Sequence, residues 1–317
     1  MRAPGFGAPT PELYAAAIEM CSWAESRGAV VAVLSEHHGT EDNHLPAPLI
    51  LASAIAARTE RLAILLAAVV LPFCDPVRLA EEMAVLDIIS GGRVGYVFGV
   101  GHRREEYEHF GVDATRRGRL ADEKLALVLS LLGGEPRKEG GRCIHVTPPP
   151  VSPGGPRVMV AGGSIAAARR AGRFGLGLLA QAAPPGIREA YEAACRSAGH
   201  EVGVAQLPTP DAPTAVFVAD DVEQAWQELG PHLLHDAAMA ASYRHGEVGV
   251  ASISQASTVD ELRTAGGAYR VLTTDEATDL ARGGGRLPLV PLCGGLPPRI
   301  AWPYLERAAD AAGRARA

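Results

Sequence analysis

No apolar run in the 317 residues approaches the ~20 needed to span a bilayer, so the sequence offers no transmembrane helix. A charged-then-apolar leader is missing too, since the chain opens on Arg2, Pro4 and Gly5. Basic charge is not in excess: the formal net charge is −6 and the arginines are scattered rather than striped, which leaves no footprint for nucleic acid. The five cysteines, Cys21, Cys74, Cys143, Cys195 and Cys293, are odd in number and form no CxxC pair. That argues against a disulfide framework and a structural zinc site, and reduced thiols in a cytoplasmic protein are the expectation.

What is present is 47% hydrophobic residues, enough to bury the core of one barrel or of two smaller domains. A helix is expected from Thr10 as N-cap, with Pro11 at the first helical position, to a stop at Gly28. Residues 29–35 follow as an unbroken apolar run, the pattern of a parallel strand covered on both faces. The unit then repeats, with a helix over 48–61, a strand over 62–70, a helix capped by Asp75 and ended by Gly91-Gly92, and a strand over 93–100. A polar helical stretch at 103–109 and a longer helix at 115–132 precede a Gly/Pro-rich excursion over 133–156, read as a lid or surface insertion. Further strands are expected at 157–161, 176–181, 214–219 and 287–292, the last weakened by Pro288 and Pro291, which cannot donate to a ladder. The final helix covers 300–312.

This alternation, with no linker, predicts an α/β fold and, in preference to an open doubly wound sheet, a (β/α)8 TIM barrel in a single domain, 1–317. The segments 133–156 and 237–265 would be insertions or loops near the site. Only seven strands are counted, because nothing apolar precedes the first helix. The first strand is lacking unless the native start lies upstream or residues 268–272 supply another.

Barrels carry their reactive groups at strand C-termini, where Glu36, His37 and His38 stand. Alternation lets only one of the adjacent histidines face the mouth. An imidazole there could hold or donate a proton with Glu36 nearby to tune it, and a structural role for either histidine is equally compatible. At another strand end, Gly162, Gly163 and Ser164 precede a helix whose amides and dipole suit a phosphate; the alternative is an ordinary tight turn. Gly99 and Gly101 could admit a flat ring, with Arg103 or Arg104 meeting a cofactor anion. Residues 175–180 spell a dinucleotide fingerprint, but they open a strand instead of joining strand to helix and are discounted. Glu36, His37, His102 and Asp87 are conceivable metal ligands of a barrel hydrolase; neighbouring histidines cannot both turn inward from a regular strand, so no metal is expected.

Several segments together resemble the bacterial luciferase-like monooxygenase family. They are Leu34-Ser35-Glu36-His37-His38; Pro72 with Asp75-Pro76-Val77-Arg78-Leu79-Ala80-Glu81-Glu82; Leu86-Asp87-Ile88-Ile89-Ser90-Gly91-Gly92-Arg93; and Phe110-Gly111-Val112. The run from Asp75 to Arg93 is the most specific, because order and spacing hold over about twenty residues. Residues 156–164 and 291–296 look like the family's fifth and eighth strand ends.

The resemblance implies a (β/α)8 barrel, a homodimer, and a reduced flavin in the mouth, either FMN or the deazaflavin coenzyme F420. His37 would match the family's active-site histidine. Ala67 and Ala68 would match the bulged strand end where the family often has a cis peptide beneath the ring. Gly162, Gly163 and Ser164 would match the phosphate loop, and Gln181 would fall near the ring at the sixth strand end. Reduced FMN from a separate reductase would react with oxygen beside His37 to oxidise a small organic substrate; the alternatives are hydride transfer with coenzyme F420 and a non-catalytic flavin-binding relative. Val100 stands where the luciferases proper carry a phosphate-binding arginine, which argues against bioluminescence.

Overall fold

The computed structural model describes residues 2–209, 212–243, 250, 253–283 and 286–316. The chain divides into two compact units, one of Ala29–Gly39 and Leu45–Pro208, the other of Met1–Gly28, Thr40–His44 and Thr209–Ala317. Among the described residues no helix is long and apolar enough to cross a membrane.

The first unit alternates strand and helix as β1 (Val31–Leu34), α2 (Pro48–Ala56), β2 (Ala63–Val70), α3 (Pro76–Ser90), β3 (Val94–Gly99), α4 (Arg104–His109) and α5 (Arg117–Leu132). After a hairpin of β4 (Arg137–Glu139) and β5 (Arg142–Ile144) come β6 (Arg157–Ala161), α6 (Ile165–Arg173), β7 (Gly177–Leu179), α7 (Ile187–Ser197) and β8 (Ala205–Gln206). The hairpin apart, the strands form one parallel sheet in the order β1-β2-β3-β6-β7-β8. The central strands are the buried ones, with Ile64, Leu66, Tyr96 and Val97 almost fully covered. β1 corrects the expectation of a strand covered on both faces: Val31 and Val33 are exposed, because β1 is the edge of this sheet.

Local signals set several boundaries. The Asp75 carboxylate accepts from the amides of Val77 and Arg78 at the start of α3, and Gly91 closes that helix in the left-handed region at φ 63°. Arg93, just beyond, donates to the carbonyls of Ala56, Thr59 and Leu62 and to the Thr59 hydroxyl, so it caps the C-terminal end of α2 and fixes the turn into β2. The 133–156 excursion holds the β4–β5 hairpin and returns to α3, where the buried Asp87 carboxylate accepts from the amide and hydroxyl of Ser152 at 2.7 and 2.8 Å.

In the second unit, α1 (Thr10–Ser26) begins one residue earlier than expected. Pro9 is its N-cap, so Thr10 is already helical and makes no capping bond. β9 (Ala215–Val218) pairs in parallel with β10 (Tyr269–Leu272), so residues 268–272 do supply a strand. The other helices are α8 (Val222–Ser242), α9 (Val259–Ala265), α10 (Thr274–Arg282) and α11 (Pro298–Arg316). One further expectation is overturned. Residues 287–292 form no strand: the Pro288 carbonyl takes the Val216 amide at 2.8 Å, but the two prolines interrupt any ladder. The segment 237–265 is helical at both ends, in α8 and α9, while its residues 244–249, 251 and 252 lie outside the described ones. No strand precedes α1 among the described residues; Arg2 instead pins this segment by donating to Asp42, Asp236 and the Tyr243 hydroxyl. The core of the unit is built on Leu13, Met20, Phe217, Trp226, Leu229 and Leu305.

Candidate active site

The expected site residues that the sequence places at strand ends all fall in the first unit. Past the end of β1, Glu36, His37 and His38 leave the sheet with two different partners. The Glu36 carboxylate lies 2.7 Å from His38 Nε2 and also accepts from the Val70 amide. The Glu36 carboxylate thus meets the histidine two residues on, and the His37 ring between them meets Glu106 of α4.

Glu106, missed in the sequence, is 1% exposed. One of its oxygens lies 2.9 Å from His37 Nδ1 and accepts from the His38 amide at 3.0 Å and from Arg103 at 3.2 Å. Burial alone would raise its carboxyl, but the bonds from His37 and the His38 amide and the charges of His37 and Arg103 outweigh that and hold it below the ordinary 4.5. Arg103 also donates to the His38 carbonyl at 3.0 Å, so its guanidinium serves this network. The His102 ring stands edge-on to His37, with centroids 5.7 Å apart. The Val100 carbonyl accepts from the Tyr107 hydroxyl.

His38 faces elsewhere. Its ring packs edge-on to Phe110, which stacks on Phe73 at 4.6 Å, and with Glu36 it lines a cleft of about 530 Å³ shared with Cys74, Ile50 and Val85. Burial, with the Glu36 charge, pushes the Cys74 thiol up to about 12, so Cys74 is a neutral thiol at pH 7.

At the end of β2 the ladder with β3 shifts register between Ala67 and Val69, and the Ala67–Ala68 peptide is cis. A Cβ added at Gly99 would stand 3.2 Å from that of Ala68 and 3.7 Å from that of Ala161. Ala68 of β2, Gly99 of β3 and Ala161 of β6 thus adjoin one another with no side chain beyond Cβ, which leaves a flat floor. Next along the sheet, Gly162 has φ 139°, a backbone region closed to other residues, and Gly163 packs on Ala182, where a Cβ would come 2.8 Å from the backbone nitrogen. This brings the turn beside the chain following Gln181. The Ser164 hydroxyl caps α6 by accepting from the Ala167 amide at 3.2 Å. The donor set fits a flat ring on the floor and an anion at the start of α6.

Among the described residues no group of three His, Cys, Asp or Glu has the geometry to hold a metal, and Asp87 is taken by Ser152.

The sequence profile described as luciferase-like monooxygenase matches residues 2–283. The oxygenase component of a flavin-dependent trigonelline monooxygenase from Acinetobacter baylyi is 31% identical over 131 residues, 41% of this chain and 36% of that protein. The chain covers less than half the length of the first curated relatives it matches. Among solved structures, a monooxygenase from Streptomyces bottropensis aligns with a TM-score of 0.75 at 22% identity over 99% of this chain and 97% of the other. The oxygenating constituent of 3,6-diketocamphane monooxygenase from Pseudomonas putida, in complex with FMN, aligns with a TM-score of 0.67 at 18% identity over 98% of both. These likenesses show the expected fold class, the (β/α)8 barrel. With nearly the whole chain matched by the profile, the protein belongs to the luciferase-like monooxygenase family.

Proposed function

We propose that the chain is a flavin-dependent monooxygenase that takes reduced FMN from a separate reductase and uses O2 to oxidise a small organic substrate. The observation that carries this reading is the floor of Ala68, Gly99 and Ala161, flanked on the β1 side by His37 and on the β7 side by the glycine turn and helix start of 162–164. Reduced flavin bound there would supply the electrons and the reaction with oxygen. The chain's own residues have simpler tasks. Ala67, Ala68 and Gly99 lie under the ring, Gly162, Gly163 and Ser164 take the phosphate, and Gln181 stands near the ring edge. The apolar strand ends exclude water, and His37 holds a proton beside the reacting atoms while Glu106 and Arg103 hold His37.

We also place the chain in a homodimer. Val85, Ile88 and Ile89 lie at i, i+3 and i+4 of α3 and are 40–46% exposed, and Ile50 of the neighbouring α2 is 74% exposed. A self-complementary contact would cover this stripe. The five free thiols fit the reducing cytoplasm.

The test is a fluorescence titration of the protein with FMN and, separately, with coenzyme F420, each oxidised and reduced. Micromolar binding of FMN that weakens about tenfold or more in Gly99→Val, a loss of about 1.4 kcal/mol, supports the reading. Binding of coenzyme F420 alone would replace oxygenation by hydride transfer, and binding of neither would refute a flavin enzyme.

A further inference from the structure

We propose that Glu106 is the positioning residue of His37, fixing the ring as the Nδ1–H tautomer so that Nε2 carries the lone pair. An ionised carboxylate can only accept, so a hydrogen bond between Glu106 and Nδ1 requires the proton to sit on Nδ1. The carboxylate is held in that state: it is buried, and three donors converge on the same oxygen, from the His37 ring, the His38 amide and Arg103. Arg103 closes the frame by donating to the His38 carbonyl, so residue His38 is held at its N–H by Glu106 and at its C=O by Arg103, the two members of one ion pair. The ring is thereby oriented through its own nitrogen and through the backbone next to it.

Among the described residues, other charged or titratable groups at this frame include His102, edge-on to His37, Glu105, 4.0 Å from Arg103, and the Glu36–His38 pair. Glu36 meets the His38 ring, and Glu106 meets the His37 ring at Nδ1. The catalytic use of the Nε2 lone pair rests on the flavin reading above; the tautomer does not.

The measurement is ¹⁵N NMR of the histidine rings in the full, cofactor-free chain at a pH where His37 is neutral, with His37→Gln used to assign its signals. Wild-type protein should show Nδ1 protonated and Nε2 bare. Glu106→Ala should reverse the dominant form to Nε2–H. Glu106→Gln, whose amide oxygen can take the His38 amide and Arg103 in the same way, should keep the Nδ1–H form. A wild-type ring protonated on Nε2 overturns the proposal outright, as does a Glu106→Ala protein of native circular dichroism that keeps the Nδ1–H form. If the alanine variant does not fold, Glu106→Met, which removes the acceptor while filling similar space, takes its place, and an unchanged Nδ1–H form in it overturns the proposal equally. Failure of FMN to bind wild-type protein would remove the flavin reading while leaving this result intact, so the two can fail separately.

Discussion

Replacing Arg93 tests whether a family signature in this chain is a structural clasp. The guanidinium makes four hydrogen bonds of 2.7–3.0 Å, three to carbonyls at the end of α2 and the following turn and one to the Thr59 hydroxyl. A bond with a charged donor contributes about 1.5–3 kcal/mol. Bonds that share one group do not add, and at a half-buried site the freed carbonyls can take up water, so we expect about 3 kcal/mol for Arg93→Ala. Arg93→Lys keeps the charge but donates from a single point instead of a planar fork, and should recover about half of that. The assay is urea unfolding followed by far-UV circular dichroism, read as a shift of midpoint at unchanged slope. An Arg93→Lys protein within about 0.5 kcal/mol of wild type, or an Arg93→Ala protein losing less than about 1 kcal/mol, would refute the view that the fork geometry matters.

Asp75→Ala removes an N-cap that serves two amides and should cost about 1 kcal/mol, read as a lower Tm, with Asp75→Asn close to wild type. Acid should destabilise the fold through Glu106 and Asp42, both held below their ordinary values of 4.5 and 3.8 against their own burial, Asp42 chiefly by Arg2. Their contribution is complete above those ordinary values and is lost as pH falls through the lower folded ones, so Asp42→Asn should flatten the fall in stability below about pH 4 while lowering stability at pH 7. Ile89→Asp should convert the proposed homodimer to a monomer in light scattering; a wild-type monomer would refute the dimer itself.

How much was legible depended on the range of the interactions. Asp75, Gly91 and the strands around Ile64 and Val97 are set by neighbours within a few residues, and the sequence displays them. Glu106 was hidden because its partner His37 lies 69 residues away and its helix reads as an ordinary polar surface. Residues 287–292 misled in the opposite sense: their apolar run packs beside β9, yet the two prolines leave too few donors for a strand. The two-residue β8 carries too little pattern to be seen at all.

The hairpin at 137–144 has a consequence for protein engineering. Gly140 and Gly141 both take positive φ, the two-residue turn that suits a twisted ribbon, and a Cβ at either would meet nothing within 4 Å. Downstream, the segment is moored to α3 through Ser152, away from the floor of the candidate site. A foreign domain spliced between the two glycines would hang from a fastened stem, so this tip is a natural place to insert a second domain in a single polypeptide.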